Sequence, residues 1–75
     1  MDVGSTCYYC VVVPSCGTYE CEELMIRTAK ENYYVGVNVK TKQALVFTPS
    51  MIGIYVFNTR YEAVDALKEF RGRND

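Results

Sequence analysis

The stretch Cys7–Ala29, CYYCVVVPSCGTYECEELMIRTA, decides how the first half of the chain is interpreted, and it contains all four cysteines. Its first part, Tyr8–Val13, is dense in aromatic and β-branched residues, which favours a β-strand. This run does not alternate between apolar and polar residues, so we expect both faces of the strand to be buried. Pro14 and Gly17 then predict a break in regular structure.

The remainder of the stretch has the spacing of a helix. Thr18 is a suitable N-cap, and the glutamates at 20, 22 and 23 would lie in the first turns, where the helix dipole favours negative charge. Apolar or small side chains recur at helical intervals; they are Cys21, Leu24, Met25, Thr28 and Ala29. We therefore predict an acidic helix from Thr18 to Glu31.

The segment Tyr33–Lys40, YYVGVNVK, alternates cleanly and predicts a strand with one buried and one open face. The residues expected to meet the helices are Tyr33, Val35, Val37 and Val39. The residues expected on the opposite face are Tyr34, Gly36, Asn38 and Lys40.

Two further strands and a second helix complete the predicted order. ALVFT, residues 44–48, is stopped by Pro49, and GIYVF, residues 53–57, is short and apolar. Thr59 and Glu62 have the spacing of a capping box, which predicts a helix start. The predicted fold is an α+β two-layer sandwich of order β-α-β-β-β-α, with a mostly antiparallel sheet and two helices on one face. All 75 residues, 1–75, are expected to form a single small domain.

Composition excludes several classes of function. The net charge is −1, so the chain lacks the excess of basic residues that is typical of a nucleic-acid binder. The absence of histidine removes histidine-based catalysis and metal sites that need histidine. No apolar run is long enough for a membrane span, and the N-terminus lacks the pattern of a signal peptide. We therefore expect a cytoplasmic location, where disulfides are uncommon.

The cysteines have the spacing C-x2-C-x5-C-x4-C, which allows three interpretations. The spacing resembles a zinc knuckle with Cys7, Cys10, Cys16 and Cys21 as ligands. A strand over residues 8–13 conflicts with that site, because six strand residues span about 20 Å, whereas sulfurs on one zinc lie within about 4 Å of each other. We favour free thiols and no metal or other cofactor. A four-cysteine zinc site, disulfides, or a thiol redox pair of Cys7 and Cys10 are the alternatives.

Two families share features with the second half of the chain. The order of elements from Thr18 to Phe70 resembles double-stranded-RNA-binding domains, but their lysine cluster is missing where this chain has TRYEAVDAL. The positions that resemble HicB-type antitoxins are Pro49, Gly53, Thr59, Glu62 and Ala63. The second resemblance implies a protein partner. Neither identifies a family for this chain.

The leading hypothesis is a non-enzymatic module that binds another macromolecule, in the first place a protein, as an inhibitor, adaptor or antitoxin-like partner. The predicted contact residues are Tyr34, Asn38, Lys40 and Lys42. The alternative is a nucleic-acid-binding module that stacks bases on sheet tyrosines; its basic residues would be Lys40, Lys42, Arg71 and Arg73. A homodimer is a further option, and no membrane contact is expected.

Overall fold

A computed structural model describes residues 2–73, with the side chain of residue 73 outside the description. In this part of the chain an antiparallel five-stranded sheet is followed by one α-helix. The elements are β1 (Thr6–Val13), β2 (Thr18–Ala29), β3 (Tyr34–Asn38), β4 (Ala44–Phe47), β5 (Val56–Phe57) and α1 (Arg60–Arg73). Short 3-10 turns occupy Pro14–Cys16 and Pro49–Met51. The α+β class and the mostly antiparallel sheet are confirmed.

The predicted first helix is wrong, because Thr18–Ala29 forms the longest strand of the sheet. Gly17 adopts the left-handed conformation with φ of 67°, which reverses the chain and brings β2 back along β1. β2 then pairs with β1 on one side and with β3 on the other. Two ladders of backbone hydrogen bonds outweigh the weak local preference for a helix, which tertiary context often overrides.

The chain forms a meander of four strands and then returns to its beginning. The strand order β4-β3-β2-β1-β5 places β4 and β5 at opposite edges, so the connection between them must cross the sheet. Met51 and Ile52 in this connection pack against the main hydrophobic core. That core consists of Cys7, Leu24, Ile26, Phe47 and Val56. The connection therefore covers one face of the sheet.

The other face of the sheet carries α1. The helix contacts β1, β2 and β5, and Cys10 lies beneath it with its thiol donating to the carbonyl of Ala63 at 3.4 Å. The helix begins as predicted: the backbone N–H of Glu62 donates to the Thr59 hydroxyl at 3.2 Å, and that hydroxyl donates to the Glu62 carboxylate at 2.9 Å.

In the third segment the valines lie on the helix side as predicted, but the predicted burial is wrong, because the opposite face holds the main core. β3 confirms the strand, but Tyr34 and Gly36 lie on the face of the main core, opposite Phe47 and Leu45 of β4. Gly36 is needed there because a Cβ atom would lie 3.0 Å from Cδ1 of Leu24. Val35 and Val37 lie on the side of the helix, although α1 does not extend over β3. Alternation showed that two faces exist, but it could not show which one is covered.

Candidate binding surfaces

The four predicted contact residues do not form one surface. Tyr34 is half-buried and stacks on Phe47, with ring centroids 5.4 Å apart. Asn38 is 8% exposed. Lys40 and Lys42 are exposed in the turn after β3. Tyr34 therefore packs within the fold, while the two lysines remain accessible; whether any of them binds a partner stays a prediction.

Asn38 shapes the turn between β3 and β4. Its side-chain oxygen accepts hydrogen bonds from the backbone N–H groups of Lys40 and Thr41 at 2.8 and 3.1 Å. Its side-chain amide donates to the carboxylate of Glu22 at 3.1 Å. Lys42 completes the turn in the left-handed conformation, with φ of 66°. These contacts give Asn38 a structural role that the alternating sequence pattern did not indicate.

The four cysteines lie in three different places. Cys7 is in the main core, Cys10 and Cys21 face each other under α1, and Cys16 is exposed in the hairpin turn. Cys7 and Cys10 occupy opposite faces of β1, so they do not form the redox pair that their spacing suggested. Among residues 2–73, no cluster of three or more metal-binding side chains occurs.

Burial keeps three of the thiols protonated. It raises the pKa of Cys7 and of Cys10 to about 11 in each case. Burial also raises the pKa of Cys21, with the Arg60 guanidinium acting in the opposite direction. A nucleophilic cysteine needs the thiolate, which a lowered pKa supplies. These three side chains therefore lack the activation typical of a catalytic cysteine.

A cleft of about 710 Å³ lies between α1, β2 and the β3–β4 turn. Above it, the Arg71 guanidinium lies 5.2 Å from the ring centre of Tyr19, and Arg60 lies 5.6 Å from that of Tyr8. These contacts attach the helix to the sheet through cation–π attraction. They also engage Tyr8, Tyr19 and Arg71 within the fold, whereas the nucleic-acid alternative needs such side chains free to contact bases and phosphates.

A second groove, of about 510 Å³, lies on the other side of the helix beside β5. Its rim carries three acidic side chains, Glu62, Asp65 and Glu69. Tyr61, which is 82% exposed, and Ile54 add apolar surface. The lining of this groove therefore combines acidic and apolar side chains.

The half of the helix-side face that α1 leaves uncovered is apolar. Met25 of β2 is opposite Val37 of β3, and Val35 is opposite Val46 of β4, so these side chains share one face. Met25 is 49% exposed and Val46 is 63% exposed. We call these four residues the open patch: Met25, Val35, Val37 and Val46.

The open patch continues to a free strand edge. The backbone N–H of Asn38 donates to the Gln43 carbonyl at 2.8 Å, so Asn38 directs its backbone toward β4. Backbone groups alternate in direction along an antiparallel ladder, and Leu45 and Phe47 therefore bond to β3. Ala44 and Val46 direct their N–H and C=O groups outward from the edge of the sheet.

Sequence reasoning predicted β4 but missed this surface. The signal was present, since in ALVF the buried Phe47 and half-buried Leu45 alternate with the exposed Ala44 and Val46. The first predicted helix was expected to help cover the valines of β3 on this face. Without that helix, Val35 and Val37 are only half-buried, and Val46 beside them is exposed.

The comparisons with known proteins found no family model, no curated protein and no solved structure that matches the chain. Within residues 2–73, no helix has the length and apolar character needed to cross a bilayer, as α1 has only 14 residues.

Proposed function

We propose that this chain is a non-enzymatic module that binds a protein partner, which adds an extended segment to the free edge of β4 and packs on the open patch. The observation that carries the proposal is the coincidence of two features at Val46. Its side chain is 63% exposed in an apolar patch, and its backbone groups point away from the sheet. The expected cytoplasmic location is part of this proposal.

An added strand satisfies both features together. Main-chain hydrogen bonds to Ala44 and Val46 supply affinity, and alternate side chains of the partner reach the same face as Met25 and Val46. Natural edge strands are often protected by proline, a bulge or inward-pointing charge. Ala44–Phe47 contains none of these, although its short length and the preceding Lys42 give partial protection. The short edge favours a partner that also contacts the open patch.

Tyrosine packing favours a protein partner over nucleic acid. Tyr34 stacks on Phe47, and Tyr55 stacks on Phe70 with ring centroids 5.3 Å apart. Tyr8 and Tyr19 lie beneath arginines. Base stacking needs accessible rings and a basic surface, whereas the chain has a net charge of −1.

The test compares two valines of nearly equal exposure. Val46 is 63% exposed on the β4 edge, and Val3 is 65% exposed before β1. Tagged wild type, Val46→Lys and Val3→Lys are used to capture and cross-link partners from cells that express the chain. A partner identified in this way is then purified, and its affinity is measured by calorimetry.

We expect Val46→Lys to weaken binding by about tenfold or more, since it places a charge at a buried interface. Val3→Lys should bind like wild type. Equal affinities of the two variants would overturn the β4 site. If the purified chain self-associates and Val46→Lys abolishes this, the partner at β4 is a second copy of the chain. Binding to single-stranded RNA that falls steeply with salt would support the nucleic-acid alternative instead.

A further inference from the structure

Cys10 and Cys21 are directly opposite each other on β1 and β2, with both side chains beneath α1. The backbone N–H of Cys10 donates to the carbonyl of Tyr55 at 2.7 Å, on the side of β5. Cys10 therefore does not hydrogen-bond to β2, and the two cysteines form a non-hydrogen-bonded pair. The Cα atoms of such pairs are about 4.5 Å apart, which lies at the short end of the range for disulfides.

The two thiols differ in access. Cys10 is buried, and its thiol contacts the Ala63 carbonyl at 3.4 Å. Cys21 is partly exposed and lines the cleft of about 710 Å³ between the helix and β2. A small reagent can reach Cys21 through the cleft, whereas Cys10 is buried beside it and does not line the cleft. This is the arrangement of an attacking thiol with a resolving thiol behind it.

We propose that Cys10 and Cys21 are a thiol–disulfide exchange site that reacts with small disulfides of the glutathione type. Because burial keeps both thiols mostly protonated, the exchange is slow and proceeds through the small fraction that has lost its proton. The Cys21 thiolate attacks one sulfur of the small disulfide, the S–S bond breaks, and one thiolate leaves. The Cys10 thiolate then attacks the Cys21 sulfur of the mixed disulfide and releases the second small thiol. The two protein thiols lose two protons and two electrons, and the small disulfide is reduced to two thiols.

Oxidation would change the contacts within the β1–β2 hairpin and between the hairpin and α1. The new bond joins β1 to β2 under α1, and the Cys10 thiol no longer donates to Ala63. A disulfide stabilises a fold chiefly by constraining the unfolded chain. The other two cysteines do not compete, since Cys7 lies on the opposite face and Cys16 is in the turn. This site is on the covered half of the sheet, away from β4.

The test incubates the folded chain of 75 residues with an excess of oxidised glutathione at pH 8, blocks the remaining thiols by alkylation, and maps the bonds by mass spectrometry. Trypsin is unsuitable because no lysine or arginine precedes Arg27, so all four cysteines stay in one peptide. Chymotrypsin cleaves after tyrosine and separates Cys7 and Cys21, but Cys10 and Cys16 stay together in residues 10–19. The variant Cys16→Ser is therefore the reference background.

We expect one internal disulfide between Cys10 and Cys21, loss of two hydrogen atoms, and a rise in Tm of about 10 °C that dithiothreitol reverses. Adding Cys21→Ser should abolish the bond and leave Cys10 unmodified. A stable glutathione adduct on Cys21 beside a free Cys10 would overturn the proposal. So would a bond to Cys7, or unreacted thiols in the folded chain. The disulfide map of the Cys16→Ser protein tests the proposal by itself, even if the double variant with Cys21→Ser does not fold.

Discussion

The two faces of the sheet are closed by different parts of the chain and to different extents. One face holds Leu24, Ile26 and Phe47 and is covered by the connection between β4 and β5. The other face has α1 over β1, β2 and β5, and Met25 and Val46 of the open patch remain exposed. In this small fold the irregular connection covers the main core, and the helix covers part of the opposite face. Regular structure alone is therefore a poor guide to where the core lies.

The sharpest test of this contrast uses two neighbouring residues of β2. Leu24→Ala should lower the free energy of unfolding by about 2–5 kcal/mol, since it removes a fully buried side chain and leaves a cavity. Met25→Ala, on the opposite face and 49% exposed, should cost about 1 kcal/mol or less. Urea denaturation measures both. Equal losses would show that the two faces contribute similarly to stability.

Gly36→Ala tests how closely the strands pack on the core face. The added Cβ would lie 3.0 Å from Cδ1 and 3.1 Å from Cβ of Leu24, so the leucine must move. Overpacking of this kind costs about 1–3 kcal/mol. Gly72→Ala in α1 is the control, because its Cβ would meet no atom within 4 Å. A Gly36→Ala protein as stable as wild type would mean that the core face is loosely packed.

The start of the helix can be weakened without touching either face of the sheet. Thr59→Ala removes the hydroxyl that accepts from the Glu62 N–H, and it should cost about 1 kcal/mol. Thr59→Ser keeps the hydroxyl and should remain close to wild type. Urea midpoints of the three proteins provide the measurement. If Thr59→Ala leaves the midpoint unchanged, the helix start contributes little to the stability of the sheet.

The smallest effect concerns the attachment of the helix to its half of the sheet. Arg71 and Tyr19 should show a coupling energy of about 0.5–1 kcal/mol in a double-mutant cycle, the range of exposed cation–π contacts. The cycle uses Arg71→Met and Tyr19→Leu, which keep most of the apolar volume. A coupling energy near zero would mean that buried contacts, such as that between Ala63 and Cys10, attach the helix instead.

Sequence reasoning predicted the elements that depend on local signals. Thr59 and Glu62 marked the second helix, Pro49 ended β4, and the valines after Cys10 indicated β1. Thr18–Ala29 was wrong because its glutamates suit the first turns of a helix, while its strand character depends on two distant partners. The turn held a usable signal: with residues 14–17 as a hairpin loop, Val13 pairs with Thr18 and Cys10 with Cys21.

The candidate surfaces were harder to predict than the fold. The exposure of Val46 depends on the absence of a helix over β3 and β4, which no residue of β4 encodes. The pairing of Cys10 with Cys21 depends on strand register, whereas the sequence drew attention to the nearer Cys7. Properties that depend on one element, such as a helix cap, are visible in the sequence. Properties that depend on the arrangement of several elements require the structure.

The return of the chain across the sheet has a consequence for the order of folding. The β1–β2 hairpin closes through residues 14–17, while pairing of β1 with β5 must join Tyr9 to Val56 across most of the chain. Closing the longer loop costs more entropy, and distant contacts form more slowly. We therefore expect the meander to nucleate folding, with β5 and α1 joining afterwards. Changes in the β1–β2 hairpin should then slow refolding, while changes in α1 should mainly accelerate unfolding.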